Sequence, residues 1–330
     1  MNSFGRLFRV HIFGESHGDC VGACIDGCPA GLSLGTDDFS IDLERRKGGT
    51  KGTTPRTEDD FPQIKSGLFN GKTTGSPISI FFDNNNINSA AYEKQRAIPR
   101  PGHADFVANK KFGGHEDFRG SGHFSGRLTV GLVAAGVIAK KILNKITIQA
   151  DILEIGGEKN LEKGLQKAIQ AKDSIGGIIE CRVNGLPVGL GEPFFDAAES
   201  LLSHAVFAIP AVRGIEFGTG FAAAKMFGSQ HNDAILDDSG KTATNHSGGI
   251  IGGLTNGNEL VFRIAIKPTS STPAEQRSWN WESHTQENFS VKGKHDLCIA
   301  LRVPVILEAV TAIVLTDLML IEQLVSRVIV

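Results

Sequence analysis

The stretch Thr129-Val130-Gly131-Leu132-Val133-Ala134-Ala135-Gly136-Val137-Ile138-Ala139-Lys140-Lys141-Ile142-Leu143 decides the fold. Its apolar and small residues lie nearly all round a helical wheel, so it reads as a helix buried on every side. Residues 303–325 read as a second, longer buried helix. The most hydrophobic run, residues 299–321, carries Arg302, Glu308 and Asp317. Charges of that kind are costly at membrane depth, so a protein interior is expected around this helix rather than lipid.

Working outward, residues 7–13 and 21–25 read as strands flanking a Gly-rich turn, and residues 78–82 as a strong strand. Strands are also expected over residues 146–155, 175–183 and 260–266. Helices are expected over residues 39–47, with Asp37 or Asp38 available as cap, and over residues 161–171 and 195–207. Between residues 82 and 124 the chain is polar, Gly-rich and loop-like, and a loop that long in so apolar a chain points to function. Alternating strands and helices predict an α/β or α+β fold with helix-covered sheets. No linker, charge block or low-complexity run divides the chain, so one domain over residues 1–330 is expected. A short echo, Gly67-Leu68-Phe69-Asn70-Gly71 before the strand at Ile78 and Gly253-Leu254-Thr255-Asn256-Gly257 before that at Leu260, hints at a duplicated half.

The 330 residues are 40% hydrophobic and 21% charged with a net charge of −2. That balance offers no global attraction to nucleic acid or an anionic membrane, so bound anions must be held by local basic clusters. The 40 glycines exceed the usual usage of about 7% and sit in short runs, as in an enzyme closing its backbone on a phosphorylated ligand. Residues 1–6 lack the apolar stretch of a signal peptide, which points to the cytoplasm. Cys20, Cys24 and Cys28 are evenly spaced, unlike common zinc or iron–sulfur sites, and Gly22, Gly27 and Pro29 break any helix that would align them. No metal site is expected. Cys181 and Cys298 sit in apolar runs and read as core.

Several polar segments could carry chemistry. Gly14-Glu15-Ser16-His17-Gly18 holds an imidazole between glycines at a strand end, where it is expected to reach a ligand without being buried. Arg100-Pro101-Gly102-His103-Ala104-Asp105 joins a cation and an imidazole to two backbone punctuators inside the long polar loop. Asp117-Phe118-Arg119-Gly120-Ser121-Gly122-His123-Phe124-Ser125-Gly126-Arg127 runs into the first buried helix. Free N–H groups and the helix dipole make such a junction a ready anion site. Arg45-Arg46-Lys47-Gly48-Gly49-Thr50-Lys51, with Arg56 beyond it, reads either as a clamp for a doubly anionic substrate or as a solvated helix end. Lys267-Pro268-Thr269-Ser270-Ser271 groups a cation with hydroxyls, and Lys292-Gly293-Lys294-His295-Asp296 sets a carboxylate beside an imidazole. Gly71-Lys72-Thr73 lacks the first glycine of a phosphate-binding loop, which stands here as Ser66, so ATP is not expected. Together these residues suit proton transfer on, and elimination from, a phosphorylated carboxylate. The residues alone do not name a cofactor.

The same motifs resemble the chorismate synthase family. Gly14 through Gly18 with Asp26-Gly27-Cys28-Pro29 is similar to its first signature, and Arg100 through Asp105 to the segment bearing its second catalytic histidine. Residues 66–77, 189–193, 245–253 and 267–271 follow the family in order, so the resemblance spans essentially the whole chain. It implies a single-domain β-α-β sandwich, with sheets packed around central buried helices, assembled as a homotetramer. It also implies a carbon–oxygen lyase of the last shikimate-pathway step. Phosphate leaves 5-enolpyruvylshikimate-3-phosphate by anti-1,4-elimination to give chorismate, with reduced FMN and no net redox change.

By that resemblance His17 protonates the departing phosphate and His103 balances charge near the flavin N1. Asp296 and Ser125, with Ser16 nearby, support proton removal at the N5 edge. Flavin contacts fall on His123, Phe124, Ser125, Pro210, Ala211, Gly252, Lys267, Pro268, Thr269, Ser270, Ser271 and Lys294. Arg46, Lys51 and Arg127 hold substrate phosphate and carboxylates. Where many members read Arg-Ser-Ser-Ala-Arg-Glu-Thr, this chain has His123-Phe124-Ser125-Gly126-Arg127-Leu128-Thr129, the pattern of a His-Phe-Ser-Gly-Arg subgroup. Lys51 and Lys294 stand where arginine is common, which predicts altered affinity rather than lost function. NADPH and an external flavin reductase are the two candidate sources of reducing equivalents. Two other readings stay open at this level: a flavin-dependent oxidoreductase on a phosphorylated substrate, and a non-catalytic flavin-binding protein.

Overall fold

Val21, Ala23 and Ile25 are fully buried on every second position of one segment, the period that a strand with one face on a core requires. In the computed structural model, which describes residues 1–55, 58–87, 89, 92–93, 96–291 and 295–329, that segment is central to a five-stranded sheet. The N-terminal half supplies β1 (Ser3–Phe4), β2 (Arg9–Gly14), β3 (Cys20–Asp26), β4 (Gln63–Ser66), a small hairpin of β5 (Leu68–Phe69) and β6 (Lys72–Thr73), and β7 (Ile78–Asp83). The sheet runs β1-β2-β3-β7-β4 with antiparallel pairing throughout. Its helices are α1 (Ser40–Arg46), α2 (Asp105–Phe112) and α3 (Thr129–Ile142).

The C-terminal half contains β8 (Thr147–Ile155), α4 (Leu161–Ala171), β9 (Gly177–Asn184), α5 (Ala198–Val206) and β10 (Val212–Phe217). It continues through the hairpin β11 (Ile250–Ile251) and β12 (Leu254–Thr255), then β13 (Leu260–Ile266), β14 (Gln276–Asn280), β15 (Thr285–Phe289) and α6 (Val303–Ile321). Its sheet runs β10-β13-β9-β8, again antiparallel.

Helices α3 and α6 fill the space between the two sheets. A Cβ on Gly131 would stand 2.8 Å from the Gly22 carbonyl of β3, and one on Gly136 would stand 2.2 Å from the Ala309 Cβ of α6. Glycine at these two positions lets α3 lie on the first sheet and against its partner helix. On its other side α6 meets the second sheet, where Glu308 accepts the Ala150 N–H of β8 at 3.1 Å. The fold is therefore α+β, as the alternating elements predict, with the β-α-β layering that the family resemblance implies. Among the described residues one helix, Ile299–Ile321, is long and apolar enough to cross a membrane, and 83% of its most apolar window is buried inside the protein. Its acids are used internally. Glu308 takes Arg45 at 2.7 and 2.8 Å and Lys140 at 2.8 Å, and Asp317 accepts the backbone N–H groups of Arg6, Leu7 and Phe8.

Four expectations need correcting. The stretch before residue 124 is not loop throughout, because α2 forms there; it buries only Ala108, so apolar periodicity could not reveal it. Neither Asp37 nor Asp38 caps α1; Asp38 instead accepts the Gly35 N–H at 2.8 Å and closes the preceding 3₁₀ turn. Strands β10, β14 and β15 lie where no strand was expected, the last two polar and partly exposed. The echo is real in kind but shifted in register. Thr73 Oγ1 bonds the Pro29 carbonyl and the Leu32 N–H at 2.6 and 2.9 Å, while Thr255 Oγ1 bonds the Pro187 carbonyl and the Leu190 N–H at 2.7 and 2.9 Å. The equivalent segments are thus Gly71-Lys72-Thr73-Thr74-Gly75 and Gly253-Leu254-Thr255-Asn256-Gly257. The same arrangement puts Gly71 in a hairpin turn and Lys72-Thr73 in strand β6.

Candidate active site

Two sequence-predicted segments close on each other at one end of a cavity of about 890 Å³. Lys267 Nζ donates to the Gly102 carbonyl at 2.5 Å and to Ser270 Oγ at 3.0 Å, and Ser270 Oγ donates to the same carbonyl at 2.8 Å. Arg100, 8% exposed, donates to Ser271 Oγ at 2.8 Å and Ser121 Oγ at 3.0 Å, which ties three loops together. It also grips Asp105 through Nε and Nη2 at 2.8 and 2.7 Å. His103 Nδ1 lies 2.6 Å from Asp105 Oδ1. A carboxylate only accepts, so Nδ1 carries the proton and Nε2 is the atom left for a ligand. Burial pushes the Asp105 carboxyl up, but hydrogen bonds from Arg100 and His103, and their charge, hold it well below the usual carboxylate range.

The Gly-rich run before α3 forms a second wall. Gly120, Ser121 and Gly122 all have positive φ, and Gly122 accepts the Ser16 N–H at 3.1 Å. Gly120 packs flat on His17: a Cβ there would meet His17 Cδ2 at 2.3 Å and Nε2 at 2.4 Å. His17 is only 4% exposed, bonded through Nδ1 to Ser89 Oγ at 2.9 Å, with the Tyr92 ring edge-on at 5.3 Å. The expectation of an unburied imidazole fails because the 119–124 turn folds down over it. Ser16, Gly120 and Tyr92, rather than His17, form the cavity surface here.

Arg46 and Arg127 line the cavity at 3% and 7% exposure and share one acid, Asp60. Asp60 Oδ2 takes Arg46 and Oδ1 takes Arg127, both in short contacts, with the carboxylate fully buried. Burial pushes that carboxyl up, and the two guanidinium charges more than reverse the effect. Burial conversely draws Arg46 down to about 10, which leaves it cationic at neutral pH. Arg127 is fixed further by Asn84 Oδ1 at 3.0 Å and the Asp83 carbonyl at 3.2 Å. Asp296, also on the wall, accepts the Thr54 N–H at 2.8 Å and Arg302 at 3.2 Å, while Arg302 Nε donates to the Arg46 carbonyl at 2.9 Å.

Most of the sequence-predicted residues meet here. Ser16, Arg46, His103, Ser125, Arg127 and Asp296 line the cavity, as do His123, Phe124, Pro210, Ala211 and residues 267–271. Besides the buried His17, Lys51 and Gly252 do not join them. Lys51 pairs with Glu162 on the exposed surface of α4. Gly252 lies at the wrong end of α5: its neighbour Gly253 accepts the Ala198 N–H at the N-terminus of that helix, whereas the cavity touches the C-terminal residues His204 and Ala205. Lys294 lies outside the described residues. The departing residues take distinct roles. Both His123 ring nitrogens are spent on structure, Nδ1 at 2.9 Å from the Gly14 carbonyl and Nε2 at 3.0 Å from Asn2 Oδ1. Phe124 is 42% exposed at the cavity and faces Phe112 of α2, with ring centroids 6.4 Å apart. Sequence reading gave no site role to Asp60 or Arg302, and it named Asp105 only as part of the His103 segment.

The cavity lining combines two chemical characters. Leu132, Ile306, Val310 and Ile313 of the central helices give an apolar face suited to a planar ring system, and Arg46, Arg127 and Lys267 give charge suited to phosphate or carboxylate. The Nε of Arg46 is buried with no hydrogen-bond partner among the described residues, a donor left for a ligand. The volume falls within the range of about 300–1,000 Å³ typical of cofactor and small-ligand sites. These residues fit a flavin together with a phosphorylated acid. Among the described residues, no cluster of three or more His, Cys, Asp or Glu is placed to hold a metal ion.

Comparison with known proteins points to one family over nearly the whole chain. A profile of the family described as chorismate synthase matches residues 8–320. The chorismate synthase of Chitinophaga pinensis is 68% identical over 329 residues, covering 99% of each chain. That of Dehalococcoides mccartyi is 44% identical over 360 aligned positions, again covering 99% of each. A crystal structure of a chorismate synthase superposes with a TM-score of 0.74 at 26% identity, covering 97% of this chain and 93% of that one. With its β-α-β layering and its arginine- and histidine-lined cavity, the chain belongs to the chorismate synthase family.

Proposed function

We propose that this protein is a carbon–oxygen lyase that converts 5-enolpyruvylshikimate-3-phosphate to chorismate and phosphate by anti-1,4-elimination. The observation that carries this reading is the single cavity that sets Arg46, Arg127, His103 and Asp296 around an apolar face. Reduced FMN, when bound, supplies electron density to the allylic C–O bond and takes it back as the C6 proton leaves, so no net redox change results. Leu132, Ile306, Val310, Ile313 and Phe124, all on the cavity wall, would hold its apolar ring system. Lys267, Thr269, Ser270 and Ser271 and the Pro210-Ala211 turn supply the polar contacts around it, with Lys294 proposed to join them. His103, oriented by Asp105, keeps Nε2 free to face the cofactor and would balance its charge.

Arg46 and Arg127 hold the substrate's anionic groups. His17, packed directly behind Gly120 of the cavity wall, delivers a proton to the departing phosphate. Asp296, oriented by Arg302, supports removal of the C6 proton together with Ser125, with Ser16 also on the cavity wall. The protein works in the cytoplasm as a homotetramer. Support for self-association comes from Phe194, Phe195, Phe221 and Phe227, all on the surface of the C-terminal half. Reduction of the flavin by an external reductase fits a chain without a nicotinamide-binding fingerprint, and NADPH is the rival electron source.

The deciding assay is anaerobic, with substrate and chemically reduced FMN, following phosphate and chorismate together. Equal release of both, and none with oxidised FMN, is expected. Oxidised FMN with NADPH then distinguishes self-reduction from dependence on a reductase. NADPH consumption in proportion to product would indicate an oxidoreductase, and flavin binding without either product a binding protein.

A further inference from the structure

Asp60 is a buried acid that the proposed chemistry does not use. Its carboxylate has no exposed surface, yet each oxygen is spent on a different cavity arginine, Arg46 on one side and Arg127 on the other. Its backbone φ is +50°, a left-handed conformation that costs energy for a residue with a side chain. Burying an acid, straining its backbone and pairing it twice is an expensive way to anchor two side chains. Arg127 is already held by Asn84 and the Asp83 carbonyl, so it needs no third anchor for position alone. The charge of Asp60 is the property those neutral partners cannot supply.

We propose that Asp60 is the built-in counter-ion of the anion subsite, a positioning residue that halves the charge the arginine pair shows to phosphate and keeps the released product from being trapped. This inference rests on reading Arg46 and Arg127 as substrate contacts. The elimination frees a phosphate beside two buried guanidinium groups. With two uncompensated positive charges and little water the anion would dissociate slowly; with Asp60 between them the pair carries one net positive charge. The Arg46 Nε, buried and without a partner among the described residues, remains to register the substrate.

Inorganic phosphate is the probe, with binding measured by calorimetry on the purified full chain, independently of turnover. Asp60→Asn keeps the shape and removes the charge, and it is expected to bind phosphate at least about tenfold more tightly than the wild type, because a unit charge a few ångströms from the anion is worth that much at an intermediate dielectric. Asp60→Glu keeps the charge and should stay within about threefold of wild type. In turnover, Asp60→Asn should lower KM and kcat together, since release becomes slow. If Asp60→Asn proves unstable, its melting temperature should rise far more than that of the wild type as phosphate is added, because the anion replaces the lost carboxylate. Unchanged or weaker phosphate affinity in Asp60→Asn, or equal phosphate-induced melting shifts in both proteins, overturns the inference while leaving the substrate reading intact. Phosphate binding that is insensitive to Arg46→Met in the wild type removes the subsite itself, and the inference with it.

Discussion

Gly120 lies so close to His17 that a Cβ added to it would stand 2.3 Å from the imidazole Cδ2. This contact ties the placement of the acid to the glycine. Gly120→Ala must push His17 off Ser89 or lift the 119–124 turn away from Ser16, and its φ of +57° adds strain. The variant should therefore lose at least about tenfold in turnover, as should His17→Ala, because general acid groups contribute on the order of 10²–10⁴-fold. Steady-state kinetics on folded protein would decide it, folding being checked by far-UV circular dichroism. Wild-type turnover in Gly120→Ala would show that the imidazole need not sit where the structure has it.

His103 depends on Asp105 in a way that pH can expose. His103→Ala and Asp105→Asn should each lose at least about tenfold in turnover, the second by freeing the imidazole to take the wrong tautomer. The Asp105 carboxyl lies below its ordinary value in the folded protein. A depressed folded value means stability that is present above the unfolded value of about 3.9 and lost as pH falls through the folded value. Urea midpoints of wild type and Asp105→Asn should therefore differ most at neutral pH and converge as pH falls below about 4. A gap that stays constant down to pH 3 would detach Asp105 from this pair.

The central helices and the strand Leu260–Ile266 were legible because burial on all sides, or on one face, writes a period into the sequence. Helix α2 was not, since Phe106, Val107 and Phe112 point outward and leave no apolar stripe. In the site, His103, Arg46 and Arg127 were read from segments whose chemistry is local. Asp60 escaped because its partners lie 14 and 67 residues away, and nothing in Glu58-Asp59-Asp60 tells which of the three acids is buried. Lys51 shows the converse: a lysine in a Gly-rich loop looks the same whether it faces a ligand or, as here, Glu162. The repeat misled by register, since the sequence match fell on Phe69 and the hydrogen bonds fall on Thr73.

Glu308 tests how the buried charges hold the layers together. It joins Arg45 of α1, Lys140 of α3 and the Ala150 N–H of β8, at 4% side-chain exposure. Glu308→Ala strands those donors and should cost about 3 kcal/mol, the lower end for breaking a buried pair because Arg45 keeps a path to solvent. Substrate KM should hardly move, as none of these groups lines the cavity. Chemical denaturation would measure the loss, and a change under about 1 kcal/mol would mean that the network relaxes into water.

Gly136 makes a sharper claim about the same interior. The space for its Cβ is already filled by Ala309, at 2.2 Å from Cβ and 2.4 Å from Cα, so α3 and α6 touch through backbone here. In an open helix, alanine for glycine would stabilise by roughly 1 kcal/mol through propensity alone. Here the added methyl must push apart the helices that carry the apolar face of the cavity, and overpacking of that kind costs about 1–3 kcal/mol. Steric cost should win, leaving Gly136→Ala less stable than wild type with weakened flavin binding. Both are measurable, one by urea midpoint and the other by fluorescence titration with FMN. A more stable Gly136→Ala would mean that the helices do not cross at this glycine, and the packing described for the central layer would be wrong.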